Sequence, residues 1–266
     1  MTLPMTVDHI LALAPVVPVL IIEDAADAVP LARALTRGGL FALEVTLRTP
    51  AALEAIRAIA GEVEDAVVGA GTVTSASARQ AVADAGARFA VSPGLIAGER
   101  IEGPVPLLPG IATATELMAG LDHGFTAFKL FPASVVGGVG LLRALASPFP
   151  QAVFCPTGGI DAAKAPDYLK EPNVACIGGS WVAPRDAVAA GDWDQITERA
   201  RAWAEKEDDQ QSLAYLELLE CRLLLREGEV DAARDRGEKA LVLLDSMGDG
   251  VRAAETLNQL AMIALG

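Results

Sequence analysis

Residues 41–73 read FALEVTLRTPAALEAIRAIAGEVEDAVVGAGTV. An apolar, β-rich run, FALEVTL (41–47), gives way to a helical stretch, and a second run, AVVGAGTV (66–73), follows. The same alternation extends in both directions. The other runs are PVLII (18–22), RFAVSPG (88–94), VPLLPG (105–110), TAFKLFP (126–132), QAVFCPTG (151–158) and NVACIGGS (173–180). Helical stretches such as AADAVPLARALTRGG and SASARQAVADAG separate them. Strand–helix alternation implies a parallel sheet with right-handed crossovers. Eight such units predict an α/β fold, a compact (β/α)8 TIM barrel. A doubly wound open sheet is disfavoured by the number of units and by the lack of a GxGxxG turn after the first strand. A helix over 5–13 is expected to cover the bottom of the barrel.

After residue 180 no strand signal appears. GDWDQITERARAWAEKEDD starts a helix with Asp192 as its N-cap, and no Gly or Pro interrupts the chain from Asp192 to Glu227. Two further helices are expected, EVDAARDRGEKALVLLDSM and VRAAETLNQLAMIAL. The change of texture divides the chain into a barrel, residues 1–205, and a small all-α segment, residues 206–266. The charge divides too. The chain has a net charge of −14 over 266 residues, and residues 207–266 alone carry 13 acidic and 6 basic groups.

That acidity argues against a nucleic-acid or anionic-membrane partner. It leaves room for a small phosphate, which needs only a few local donors. Hydrophobic residues at 52% and charged residues at 21% describe a folded chain. Three widely spaced cysteines, Cys155, Cys176 and Cys221, suggest no disulfide framework, and a cytoplasmic setting fits. With only His9 and His123 and no CxxC or HxxxH spacing, no metal site is expected. The N-terminus lacks a basic n-region and carries Asp8, so no signal peptide is expected, and no apolar run reaches the ~18 residues of a membrane span.

Within LEVTLR, period-two alternation puts Glu44, Thr46 and Arg48 on one face and Leu43, Val45 and Leu47 on the other. The apolar set should face the helices, which points the polar set at the barrel axis, where polar groups are costly unless paired or functional. The arrangement reads either as a structural Glu–Arg pair or as an acid/base carboxylate beside an anion-binding guanidinium. Lys129 is the sharper signal. Of five lysines, it alone lies in an apolar strand, AFKLFP (127–132). Loss of hydration favours a neutral amine, which is the form Schiff-base chemistry with a carbonyl requires. A structural ion pair with Glu44 is the other possibility. Gly158-Gly159 and Gly178-Gly179-Ser180 read as turns after the seventh and eighth runs, where barrels of this type commonly bind phosphate through backbone N–H groups.

Taken in order, EVTLRT (44–49), GAGTV (69–73), SPG (92–94), PG (109–110), FKLFPA (128–133), PTGGI (156–160) and GGSW (178–181) resemble the 2-keto-3-deoxy-6-phosphogluconate (KDPG) aldolase family over residues 5–205. The resemblance implies a homotrimeric, metal-independent, cofactor-free class I aldolase. Its substrate would be the phosphorylated keto-deoxy sugar acid, cleaved to pyruvate and glyceraldehyde 3-phosphate, and 4-hydroxy-2-oxoglutarate would also be accepted. By the same resemblance Lys129 forms the Schiff base and Glu44 is the general acid/base. Arg48 and Thr72 hold the pyruvate carboxylate, and Pro93 and Phe131 pack around the pyruvyl group. Gly158, Gly159, Gly178, Gly179 and Ser180 bind the phosphate.

Beyond residue 205 that resemblance stops. SLAYLELLECRLLLREGEVDAARDRGEKALVLLDSMGD is similar to a tetratricopeptide (TPR)-type helical hairpin, and VRAAETLNQLAMIAL to the first helix of a second repeat. Such repeats stabilise by stacking. One and a half repeats would leave Leu257, Leu260, Ile263 and Ala264 without a lid. The segment reads as a fused module for self-association, with packing on its own barrel or peptide binding as alternatives. A competing reading of the whole chain is a natural or engineered scaffold that uses the barrel only as a building block.

Overall fold

The computed structural model describes residues 6–204, 217, 221 and 230–246. Contacts divide the chain into two compact units, Met1–Ala204 and Glu205–Gly266.

The first unit is an α/β fold whose parallel strands form a curled sheet. Its strands are β1 (Val16–Leu20), β2 (Ala42–Thr46), β3 (Val67–Gly71), β4 (Ala90–Val91), β5 (Leu107–Leu108), β6 (Gly110–Ile111), β7 (Ala127–Leu130), β8 (Val153–Pro156) and β9 (Ile177–Gly179). One ladder runs β5-β4-β3-β2-β1-β9 and another β6-β7-β8. Bridges Phe154↔Val174 and Thr157↔Gly178 join β8 to the β9 region, so the ladder returns towards β1 as a barrel requires.

Two features depart from the regular alternation. The run expected at 105–110 is split into β5 and β6 around Pro109. Proline offers no N–H to β4, and its carbonyl turns to accept from Lys129 N at 2.8 Å. Secondly, no helix follows β4. Residues 92–106 read SPGLIAGERIEGPVP, in which three prolines and three glycines disfavour a helix.

Arg79 holds this segment from α4 (Ala76–Asp84). Its guanidinium donates to Val105 O at 2.7 and 3.1 Å, to Arg100 O at 3.1 Å and to Glu102 O at 3.3 Å. It also pairs with Glu99.

Elsewhere each helix buries its apolar stripe on the sheet. In α2 (Ala28–Arg37), Leu31 and Leu35 are buried, and in α3 (Ala52–Glu62), Ile56 and Ile59. Helix α9 (Trp193–Ala204) starts with Asp192 accepting from Gln195 N at 3.1 Å, as the sequence implies. It lies against α2, where Thr197 donates to Ala34 O at 3.0 Å. The contact is close enough that a Cβ on Gly38 would stand 2.4 Å from the Ala200 methyl.

Helix α1 (Val7–Leu11) carries a Thr6–His9 capping box. Its Ile10 and Leu11 line a small interior cavity with Val17, Glu44, Phe89, Val91, Leu108 and Cys155, which places the helix over one end of the barrel.

In the second unit a helix spans Val230–Ser246, burying Ala233, Ala240 and Leu244, and Arg236 pairs with Glu217 at 3.1 Å. The long helix expected from Asp192 to Glu227 is described only to Ala204. The helix expected near 251–265 and its apolar positions lie outside the described residues. Among the described residues, no helix is long and apolar enough to cross a membrane, and no cluster of three or more His, Cys, Asp or Glu could hold a metal ion.

Candidate active site at the C-terminal ends of the strands

All five residues of β2 are buried, so Glu44 and Thr46 point into the barrel between apolar neighbours. Thr46 is satisfied structurally, its hydroxyl donating to Leu20 O at 2.9 Å. Glu44 meets Lys129 instead. Lys129 Nζ lies 3.0 Å from Glu44 Oε1 and 3.3 Å from Oε2, with the two residues only 5% and 3% exposed. The structural Glu–Arg pair is therefore not formed. The Glu44–Lys129 pair is formed, and it occupies the interior position that acid/base chemistry would need.

Glu44 owes its seat to Gly71 on the neighbouring strand. A Cβ there would stand 2.1 Å from Glu44 Oε1. The next residue, Thr72, takes a left-handed backbone with φ 59°, which costs a β-branched residue about 1–2 kcal/mol. Its Oγ1 accepts from Arg48 Nε at 3.2 Å. Arg48 itself lies past the end of β2, in an exposed turn. The strict alternation that put it on the Glu44 face stops at Thr46, because β2 ends there. The Thr72 hydroxyl, not the pleat, orients the guanidinium.

Phe131 connects the centre to the glycine loop. Lys129 Nζ is 5.4 Å from its ring centroid, and a Cβ on Gly158 would stand 3.3 Å from its Cε2. Pro93 follows β4 beside Ser92, whose buried hydroxyl donates to Gly94 O at 2.7 Å and accepts from Gly110 N at 3.3 Å. Gly110 passes so near that a Cβ would stand 2.4 Å from the Pro93 carbonyl carbon.

Gly158 and Gly159 take φ values of 100° and 73° after β8, a left-handed turn natural to glycine. The second glycine pair is not a turn. Gly178 and Gly179 lie inside β9, with Ser180 just beyond it. They are glycine because space is short: a Cβ on Gly178 would stand 2.2 Å from Thr157 Oγ1, and one on Gly179 1.8 Å from the Trp181 ring.

Thr157 is the residue the sequence reading passed over. It sits at the end of β8, buried, against Gly178 and 3.4 Å from Cys155 O. The PTGGI motif drew attention to its glycines, while the threonine between strand and loop was the available signal. Cys155 and Cys176, distant in sequence, meet inside the barrel, and both are free thiols. The hydrogen bond with Cys155, full burial and the Glu44 carboxylate hold the Cys176 thiol well above its usual range. It is a packing group rather than a nucleophile.

Comparison with known proteins agrees with this geometry. The family model for KDPG and KHG aldolase matches residues 7–199. The chain is 56% identical over 192 residues to the 2-dehydro-3-deoxy-phosphogluconate aldolase of Pseudoalteromonas atlantica, covering 70% of this chain and 88% of that one. It is 53% identical to the KHG/KDPG aldolase of Escherichia coli K12, covering 73% and 92%. A similar crystal structure is that of the Legionella pneumophila KDPG aldolase, with pyruvate captured at low pH as a covalent carbinolamine intermediate. It superposes with a TM-score of 0.73 at 45% identity, covering 76% of this chain and 98% of that one.

Proposed function

The chain belongs to the KDPG and KHG aldolase family, and on that premise we propose that its first unit, a (β/α)8 barrel, is a class I aldolase. It cleaves 2-keto-3-deoxy-6-phosphogluconate reversibly to pyruvate and glyceraldehyde 3-phosphate and also accepts 4-hydroxy-2-oxoglutarate. The observation that carries this reading is a buried amine 3.0 Å from a buried carboxylate inside a parallel barrel.

The Lys129 amine, its proton passed to Glu44, attacks the C2 ketone, and the carbinolamine loses water to give a protonated imine. The imine accepts the electron pair of the C3–C4 bond as it breaks. Glu44, directly or through a water, removes the C4 hydroxyl proton, and the aldehyde leaves. The enamine is reprotonated at C3, and hydrolysis frees pyruvate and the lysine. Arg48, aimed by Thr72, pairs with the pyruvate carboxylate. Pro93 and Phe131 pack around the pyruvyl carbons. The Gly158–Gly159 loop, Gly178, Gly179 and Ser180 take the phosphate. No step calls on a metal or a cofactor. The decisive test is borohydride reduction in the presence of pyruvate followed by peptide mass analysis. Mass added at Lys129 supports the assignment, and mass at any other lysine refutes it.

For the second unit, residues 206–266, we propose self-association beyond a barrel homotrimer. Supporting this are the exposed Val242 of the helix Val230–Ser246, at 69% exposure, and the apolar positions further along the sequence. Native mass measurement of the full chain against a chain ending at Trp203 tests it, and equal protomer numbers would refute it. A scaffold without catalysis has no use for Lys129 and Glu44, and an assay of pyruvate release separates the two readings.

A further inference from the structure

The phosphate cradle described above consists of backbone amides and one hydroxyl, none with a formal charge. A phosphate monoester near neutral pH carries between one and two negative charges. The cation in contact with the Gly158–Gly159 loop is Lys164. Its Nζ donates to Gly159 O at 3.0 Å and lies 3.3 Å from Asp161 Oδ2, and 56% of its side chain is exposed. On another side of Gly159, the Ser134 hydroxyl sits where a Cβ would stand 1.8 Å from it. Ser134 thus backs the loop on one side, and the ammonium lies on the other, one peptide unit from the Gly159 amide.

Asp161 holds Lys164 only through a pair exposed on both sides. Its Oδ1 accepts the backbone N–H groups of Ala163 at 3.1 Å and Lys164 at 3.0 Å, and the Lys164 backbone bond, followed by the Lys164 ammonium itself, holds its carboxyl below the usual range. One carboxylate oxygen serves the backbone and the other the ammonium, while the lysine side chain has four rotatable bonds and open solvent around it.

We propose that Lys164 supplies the positive charge for the phosphoryl end of the substrate, leaving the Gly159 carbonyl to meet it, and so determines the preference for phosphorylated over unphosphorylated keto acids. This rests on the aldolase reading of the site. An ammonium at such a rim is partly screened, so its removal is worth about tenfold in binding rather than a total loss.

The test compares kcat/KM for the phosphorylated substrate with that for 4-hydroxy-2-oxoglutarate. In Lys164→Gln the ratio of the two falls about tenfold, chiefly through KM, and Lys164→Arg restores most of it. Arg199→Gln removes a charge near the same rim, where Arg199 donates to Trp181 O at 3.4 Å, and shifts the ratio less. An unchanged ratio, or an equal shift in Arg199→Gln, overturns the proposal. Titration with inorganic phosphate, followed by the fluorescence of Trp181 beside Gly179, reads the same site without turnover. Weaker phosphate binding in Lys164→Gln supports the assignment, and equal binding overturns it. A parent protein that cleaves neither substrate refutes the aldolase reading alone, because the phosphate titration still reports on Lys164.

Discussion

Lys129 and Arg79 are both cations sealed from water, with side chains only 6% and 1% exposed, yet their surroundings differ. Arg79, in the helical layer, donates to several backbone carbonyls as well as to Glu99, and it replaces the helix that does not follow β4. Lys129, on the barrel side of β7, has the Glu44 carboxylate and the face of Phe131. A buried charge surrounded by carbonyls is architecture: its partners are permanent and leave nothing for a ligand. A buried charge with one titratable partner can pass its proton on and form a bond. The two cations thus differ in their partners and not in their burial.

The most severe way to probe that contrast is Lys129→Met. Pyruvate release falls to assay background, and the stranded Glu44 costs about 3–5 kcal/mol of stability. The double variant Lys129→Met/Glu44→Leu regains most of the melting temperature while staying inactive, since an apolar pair is tolerated where one charge is not. Should the double variant melt lower than the single, the pair would be architectural after all. Next in size, Glu44→Gln lowers kcat by about 10²–10⁴-fold while the protein still folds, as steady-state kinetics with circular dichroism would show. Arg79→Met reverses the pattern. Stability drops by about 3–5 kcal/mol in urea titration, and the folded fraction keeps its turnover. Smallest of all, Lys170→Ala breaks an exposed 3.6 Å pair with Asp167 and leaves the melting curve unmoved.

The same contrast explains what was legible in the sequence. A lysine in an apolar strand and a glutamate among alternating apolar residues are both violations of pattern, and violations can be read locally. The strand periodicity, itself a local signal, located the parallel strands of the curled sheet. Arg79 was not legible, because an arginine in SASARQAVADAG fits an exposed helical position perfectly well. Its burial depends on carbonyls about twenty residues downstream, in a segment whose own path the sequence leaves open. The periodic reading puts Arg48 on the strand, while it stands in the turn just beyond it. Its orientation comes from the Thr72 hydroxyl, just past the end of β3, a tertiary contact with no periodic trace. The Gly178–Gly179 pair looked like a turn because glycine serves close approach and reversal alike, and only the Thr157 and Trp181 side chains decide between them.

Gly71 has a consequence for the history of such a site. A single methyl at this position would occupy the space of the Glu44 carboxylate. A side chain at 71 would therefore push the Glu44 carboxylate from its place beside Lys129. Positions 44 and 71 are therefore coupled through space, and a change at one alters what the other tolerates. A gene copy carrying alanine at 71 would thus carry a displaced Glu44 carboxylate, a change visible in its sequence before any assay.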